Sequence, residues 1–312
     1  MEYPNPKIKF YKVRTLSEKL SIVFEFLREN WKPMLKFSFY LILPICLFQA
    51  FSMNAYMRFA FTMGYESAAG TTSDILLTFF RNVGILMILL LLGTSILNAM
   101  VYALMTEYEH RDSRLMQLTL DDFKTLLIRN TGKMIRISLF MIGATVLISG
   151  LIALLAWLSI WTLVLTVIAS LIGILAVMVP LSLFTPIYLF EDISFVEALK
   201  KSFKYGFSAW GETFLIILVF GFLANIVSGV TSLPWSIVLM FGEIFSLTEP
   251  GEGLNATIWY QFISYLLGII QSYGMYVSSI LSAVGIAFQY FHIREKNEGI
   301  SVDASIQNFE RL

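Results

Sequence analysis

The chain has 312 residues, 57% apolar and 14% charged, with a mean hydropathy of +0.73 and no net charge. A soluble globular chain is roughly 45–50% apolar and about 25% charged, so the balance points to a membrane protein, and zero net charge implies no nucleic-acid partner. The single cysteine, Cys46, excludes an intrachain disulfide and a cysteine metal site, and reads as a small apolar packing residue.

The chain opens with a basic segment, and its first apolar run begins near Met34. No short apolar run with a small-residue cleavage site precedes it, so the first span, 34–53, is expected to serve as an uncleaved insertion signal. Ahead of that span, TLSEKLSIVFEFLRENW (15–31) pairs Thr15 with Glu18 in a capping box. Leu20, Phe24, Leu27 and Trp31 then recur at helical spacing. A loop containing GYESAAGTTSD comes next, with Ser73 and Asp74 expected to cap a second helix that spans 83–105.

The next polar segment contains TLDDFKTLLIRNTGKM (119–134), where Thr119 and Asp122 form a near variant of the cap, followed by Phe123, Leu127 and Met134. The 54 residues 137–190 then carry no charge. As one helix they would reach ~80 Å against a hydrocarbon core of about 30 Å. Two spans are therefore expected, turning at WLSIW (157–161), where tryptophans suit an interface. Pro180 and Pro186 are expected to kink the fourth span, and Pro44 the first.

A third amphipathic stretch, EDISFVEALKKSFKYGFSAW (191–210), is capped by Ser194 with Glu197. Leu199, Phe203, Gly206 and Trp210 repeat the first stripe, while Glu197, Lys200, Lys201, Lys204 and Ser208 lie opposite. That is the pattern of a helix lying in the membrane interface. The fifth span is expected at 213–230. SLPWSIVLMFGEIF comes next, its residues 234–247 dipping into the outer leaflet as a short helix, then the turn-rich EPGEGLN. The sixth span is expected at 260–288. The even spans close alike, with Tyr108 before Asp112, Tyr188 before Glu191 and Asp192, and Tyr290 before Glu295, read as interface tyrosines.

Lys and Arg number eight before residue 37, six in 111–136, three in 200–204 and three after residue 293, which is 20 of the 22. Only Arg58 and Arg81 fall in the other connections, so both termini are expected in the cytoplasm. The fold class expected is all-α integral membrane, with six transmembrane helices. They form a single membrane domain, 1–312, of three repeats, each an interfacial amphipathic helix and a transmembrane hairpin. The repeats run 15–110, 111–192 and 193–295, between an N-terminal segment, 1–14, and a tail, 296–312.

The spans at 83–105, 137–190, 213–230 and 260–288 contain no Asp, Glu, Lys, Arg or His. Ion-coupled pumps, proton relays and intramembrane enzymes usually need such groups at depth. No zinc spacing, phosphate loop or nucleophile elbow is present, so no catalytic residue, metal ligand or cofactor is assigned. Gln49, Asn98, Asn225 and Gln271 are internal polar residues; Asn98 and Asn225 either hydrogen-bond between helices, the favoured reading, or line a path. Ser278, Ser279, Ser282, Ala283 and Ala287 should let the sixth span approach its neighbours closely. His110 and His292, with Glu107, Asp112, Asp192 and Glu295, offer a metal or acid–base cluster; solvated boundary residues are the favoured reading. Lys200, Lys201, Lys204, Lys124, Arg129, Lys19 and Arg28 are the candidates for anionic headgroups, each worth about 1 kcal/mol near an anionic surface.

The pattern P-x-x-x-x-E-D-x-S-x-x-E-A-L-K-K-S at 186–202, followed by Trp210, resembles an element of the membrane domain attached to some bacterial glycerophosphoryl diester phosphodiesterases. It is also similar to related stand-alone bacterial families of unknown function. YFHIREKNEG, at 290–299, resembles the tail of the same superfamily. The resemblance implies a module of the bacterial inner membrane. It implies no phosphodiesterase, because catalysis there belongs to a separate soluble domain without a counterpart in these residues. The function expected is a non-enzymatic, lipid-interacting or partner-binding module of the envelope. Its partners would be membrane lipids and a membrane protein or a second copy, with no nucleic acid. The alternative is a transporter or export component for an amphiphilic or uncharged solute. A third reading is a lipid enzyme at the interface, using the His110 and His292 region.

Overall fold

The computed structural model describes residues 6–65, 72–158, 160–248 and 257–301. Among these every regular element is a helix: α1 (Leu16–Tyr65), α2 (Thr72–His110), α3 (Leu120–Leu158), α4 (Ile160–Ser182), α5 (Phe184–Phe190), α6 (Phe195–Ser208), α7 (Trp210–Thr248) and α8 (Ile258–Glu298). Six stretches are long and apolar enough to cross a membrane, in α1, α2, α3, α4 running on into α5, α7 and α8.

Three helix starts carry the expected caps. Thr15 N–H donates to Glu18 at 2.7 Å, and Glu18 N–H returns to the Thr15 hydroxyl. Thr119 N–H donates to Asp122 at 2.7 Å. Ser194 and Glu197 form the full reciprocal box. Each cap satisfies backbone donors that a helix start leaves without partners.

Beyond the caps, the chain departs from the expected short interfacial helices. The first amphipathic segment is no helix of its own: α1 passes straight from Leu16 through the apolar run to Tyr65, and α3 likewise runs unbroken from Leu120 to Leu158. At the segment-to-span junction α1 continues through Pro33, and further on through Pro44, without ending, and Gly132 in α3 has open space where a Cβ would sit. Only the third copy breaks, at Ala209 between α6 and α7. There α6 lies against α4 so closely that a Cβ on Gly206 would sit 2.3 Å from the Pro180 Cα. Trp210 Nε1 donates to the Ala176 carbonyl at 3.1 Å. Pro180 has no N–H to serve that carbonyl four residues back, so the indole fills a vacancy created by the proline and fixes the hinge.

The fourth span divides at Leu183, between α4 and α5, where Pro180 and Pro186 led us to expect a kink. The WLSIW turn falls where expected: α3 ends at Leu158, α4 begins at Ile160, and Thr162 Oγ1 donates to Leu155 O at 2.8 Å. Residues 234–247 make no separate short helix; they continue α7 through Pro234. The expected cap at Ser73 and Asp74 falls inside the first turn of α2, and EPGEGLN lies outside the described residues.

By internal packing the chain falls into two units, which do not coincide with the repeat boundaries. Unit 1 holds Met1–Met34, Asn98–Gly221 and Leu281–Leu312; unit 2 holds Leu35–Leu97 and Phe222–Ile280. Unit 1 centres on an aromatic cluster of Phe10, Phe26, Tyr108, Phe288 and Phe291. Phe10 arrives on the non-helical segment 6–14, where Ile8 and Phe10 are buried and Lys9 is exposed. Lys7 Nζ donates to the Glu109 and Arg111 carbonyls at 2.8 and 3.1 Å, closing the end of α2. In unit 2 close approach is set by glycine: a Cβ on Gly93 would lie 2.2 Å from Tyr276 Oη, and one on Gly274 2.2 Å from Thr231 Oγ1.

Candidate functional site: the polar networks

Unit 1 gathers its charges where α8 ends. Glu191, the C-cap of α5, is buried and accepts from Tyr290 Oη at 2.8 Å and from Lys201 Nζ at 2.8 Å. Arg294 Nη1 donates to Tyr290 Oη at 3.0 Å and to Tyr11 Oη at 3.2 Å, while its Nε meets Glu298 at 2.8 Å. Lys201 also pairs with Glu298 at 2.6 Å, and Tyr205 Oη donates to the same carboxylate. Burial pushes the Tyr11 phenol up to about 12, so it stays a neutral hydrogen-bonding group. Tyr205 is raised as well, first by burial and then by its bond to Glu298.

A second cluster joins α1, α7 and α8. Lys19, buried, pairs with Glu212 at 2.6 Å. His292 Nδ1 accepts the Arg14 N–H at 3.0 Å, which leaves the proton of the neutral ring on Nε2, 3.3 Å from Glu212. Nε2 makes no hydrogen bond there, so the contact with Glu212 is electrostatic.

A third cluster joins α3 to the α5–α6 link. Lys133 Nζ donates to the Tyr188 carbonyl at 2.9 Å and sits 5.0 Å from that ring's centre. Arg136 Nη1 donates to Tyr188 Oη at 3.4 Å. Asp192 stands 3.7 Å from Arg129 and 3.6 Å from Lys133.

No family model, curated protein or solved structure matches this chain. Its chemistry has to be read from its own contacts.

Several expected site residues take other places. Tyr108, Tyr188 and Tyr290 are buried among the helices, where their hydroxyls serve as internal fasteners. Tyr108 Oη donates to Glu29 at 3.1 Å and accepts from Ile8 N–H. Of the headgroup candidates, Lys200, Lys204, Lys124 and Arg28 are exposed. Lys19 pairs with Glu212, and Lys201 with Glu191 and Glu298, so these two candidates already face acids. Arg129 is exposed but leans on Asp192. His292 sits among Arg14, Lys19, Glu212 and Lys296, apart from the grouping proposed with Asp192. Among the described residues no three of His, Cys, Asp and Glu come together as a metal site.

Asn98 is half-buried in α2, and Asn225 is exposed on α7. Ser278 is buried and bonds the Met275 carbonyl, while Ser282 crosses to the Phe220 carbonyl of α7 at 3.3 Å. Unit 2 spends other polar groups between helices: Tyr276 Oη donates to Gln49 at 2.6 Å, Trp235 Nε1 to Asn54 at 2.8 Å, and Ser38 meets Tyr273 at 2.9 Å. Sequence reasoning passed over Glu29, Glu212 and the segment 6–14. The alternation of Lys7, Ile8, Lys9 and Phe10 is the signal that one side of this segment packs inward; nothing local marks the two acids.

Proposed function

We propose that the protein is a non-enzymatic module of the bacterial inner membrane, with both termini cytoplasmic, that works through contact with lipids or with a membrane partner. The observation that carries this is α3 and α4. In each, only 6% of the most apolar 18-residue stretch is buried, against 39% in α1 and 44% in α8. A helix apolar on all faces and unburied by its own protein is solvated by lipid or by another membrane protein. The polar groups of both units meanwhile hold helices to one another, as Glu191, Tyr290, Gln49 and Asn54 do.

Further support comes from the lysine and arginine bias and from the resemblance at 186–202 to the phosphodiesterase membrane domain. The three capped starts support a threefold unit, of which α6 is the one interfacial helix that stands free. Its Val196 and Phe207 are exposed on the apolar side, and its Lys200 and Lys204 on the polar side. The alternative, passage of an amphiphilic or uncharged solute, draws on the buried uncharged groups Gln49, Gln271 and Ser272 of unit 2.

Reporters at Ser67, at Gly251 and at the C-terminus test the orientation: an external signal is expected at the first two, and a cytoplasmic signal at Gly251 refutes it. Mass spectrometry of the purified protein is expected to find lipid or a membrane protein retained. Uptake of a solute by proteoliposomes holding this chain alone would replace the module with the transporter.

A further inference from the structure

One face of α3 changes character over a few residues. Arg129, Lys133 and Arg136 follow one another at i, i+4 and i+7, and Phe140, Gly143 and Leu147 continue the same stripe at the next turns. Arg129 and Arg136 are exposed. Lys133 is held to the Tyr188 carbonyl, and the Tyr188 hydroxyl receives Arg136. Among the described residues the one acid paired with this stripe is Asp192, 3.7 Å from Arg129 and 3.6 Å from Lys133, too far for good hydrogen bonds, and it is itself 80% exposed. The cluster therefore keeps two positive charges in excess. Below it the stripe is open: Leu147 is 76% exposed, and nothing lies within 4 Å of a Cβ built on Gly143. Phe140 packs its ring against Phe195 of α6 at 5.4 Å, which bounds the stripe on one side.

From this geometry we infer that the face of α3 from Arg129 to Leu147 is a binding site for one anionic phospholipid. The phosphate is received by Arg129 and Arg136 beside the Tyr188 hydroxyl, and an acyl chain lies along Phe140, the dent at Gly143 and Leu147. The fit is to an amphiphile because the cations and the open apolar stripe share one helix face. It is to an anionic one because a zwitterionic head would add a cation to a cluster already in excess, with only Asp192 to receive it. Guanidinium groups suit the phosphate because they present paired donors to its oxygens. The inference rests on the lipid-contacting reading of the protein's function and narrows it to one face and one lipid class.

The test uses the full chain, purified in detergent and titrated with phosphatidylglycerol or with phosphatidylcholine of the same acyl chains, bound lipid being counted by native mass spectrometry. Wild type is expected to prefer phosphatidylglycerol. The double variant Arg129→Gln/Arg136→Gln is expected to lose roughly thirtyfold of that preference. Lys200→Gln/Lys204→Gln is expected to retain it, and Asp192→Asn, which removes the competing carboxylate, to increase it. Equal binding of the two lipids by wild type overturns the site, as does an unchanged preference in the arginine variant. Should the arginine variant fail to fold, a preference that Asp192→Asn leaves flat or lowers overturns it. Loss of the preference in the α6 lysine variant alone moves the lipid to α6 and spares the broader reading. Release of the chain from membranes by alkaline carbonate defeats the broader reading itself.

Discussion

Glu191 shows how one side chain ties several elements together. It closes α5, receives Tyr290 of α8 and receives Lys201 of α6. Glu191→Gln keeps an oxygen that can accept from Tyr290 but removes the charge that Lys201 and Arg294 face, and both cations still have Glu298. The loss for Glu191→Gln is therefore expected nearer one charged hydrogen bond, about 2 kcal/mol, than the 3–5 kcal/mol of an orphaned buried pair. Unfolding in detergent should place Glu191→Gln well below Glu298→Gln, since Glu298 is the more exposed of the two; equal losses would contradict the ranking. The acid itself was legible as part of the E-D pair before the Ser194 cap. Its partners were not, because Tyr290 and Arg294 lie about a hundred residues away and only tertiary packing brings them near.

At the scale of elements, local signals were read best. The three caps, the WLSIW turn and the proline break at Leu183 are each decided by neighbours within a few residues. The independence of an amphipathic segment is not: α1 and α3 run through where α6 stops, and the difference lies in the close approach of Gly206 to Pro180. The α6 cap is testable on its own. Ser194→Ala should cost about 1 kcal/mol of stability. The Ser194 side chain and N–H hold the Glu197 carboxyl below its ordinary range. A carboxyl depressed in the folded state contributes stability above its unfolded pKa and gives it up as pH falls through the folded one. The gap between wild type and Ser194→Ala in thermal unfolding should therefore narrow on acidification below the usual carboxylate range. A gap that widens there would show that the box does not act through the ionised acid.

For the whole molecule, composition identified the solvent before any element was placed. Six apolar stretches of sufficient length are expected from it, and the structure has them. The division into two packed units was not legible, because it cuts through α1, α2, α7 and α8, and a continuous apolar run carries no mark of which neighbour each turn will meet. The exposed hairpin of α3 and α4 carries the whole-molecule prediction. A lysine at Leu147 would sit deep in a span with no acid beside it, at about 2.5–3.5 kcal/mol on insertion scales. Membrane insertion of Leu147→Lys, read by a glycosylation-tagged translocation assay, should fall clearly below that of Leu147→Ala; equal insertion would show that this stretch does not lie at depth.

The bond from Trp210 to the Ala176 carbonyl has a bearing on how the chain is made. Residue 176 joins the growing chain thirty-four residues before its donor does. Through that interval the Ala176 carbonyl lacks both the helical donor that Pro180 cannot supply and the indole that replaces it. That carbonyl of α4 therefore gains its side-chain donor only with the first residue of α7.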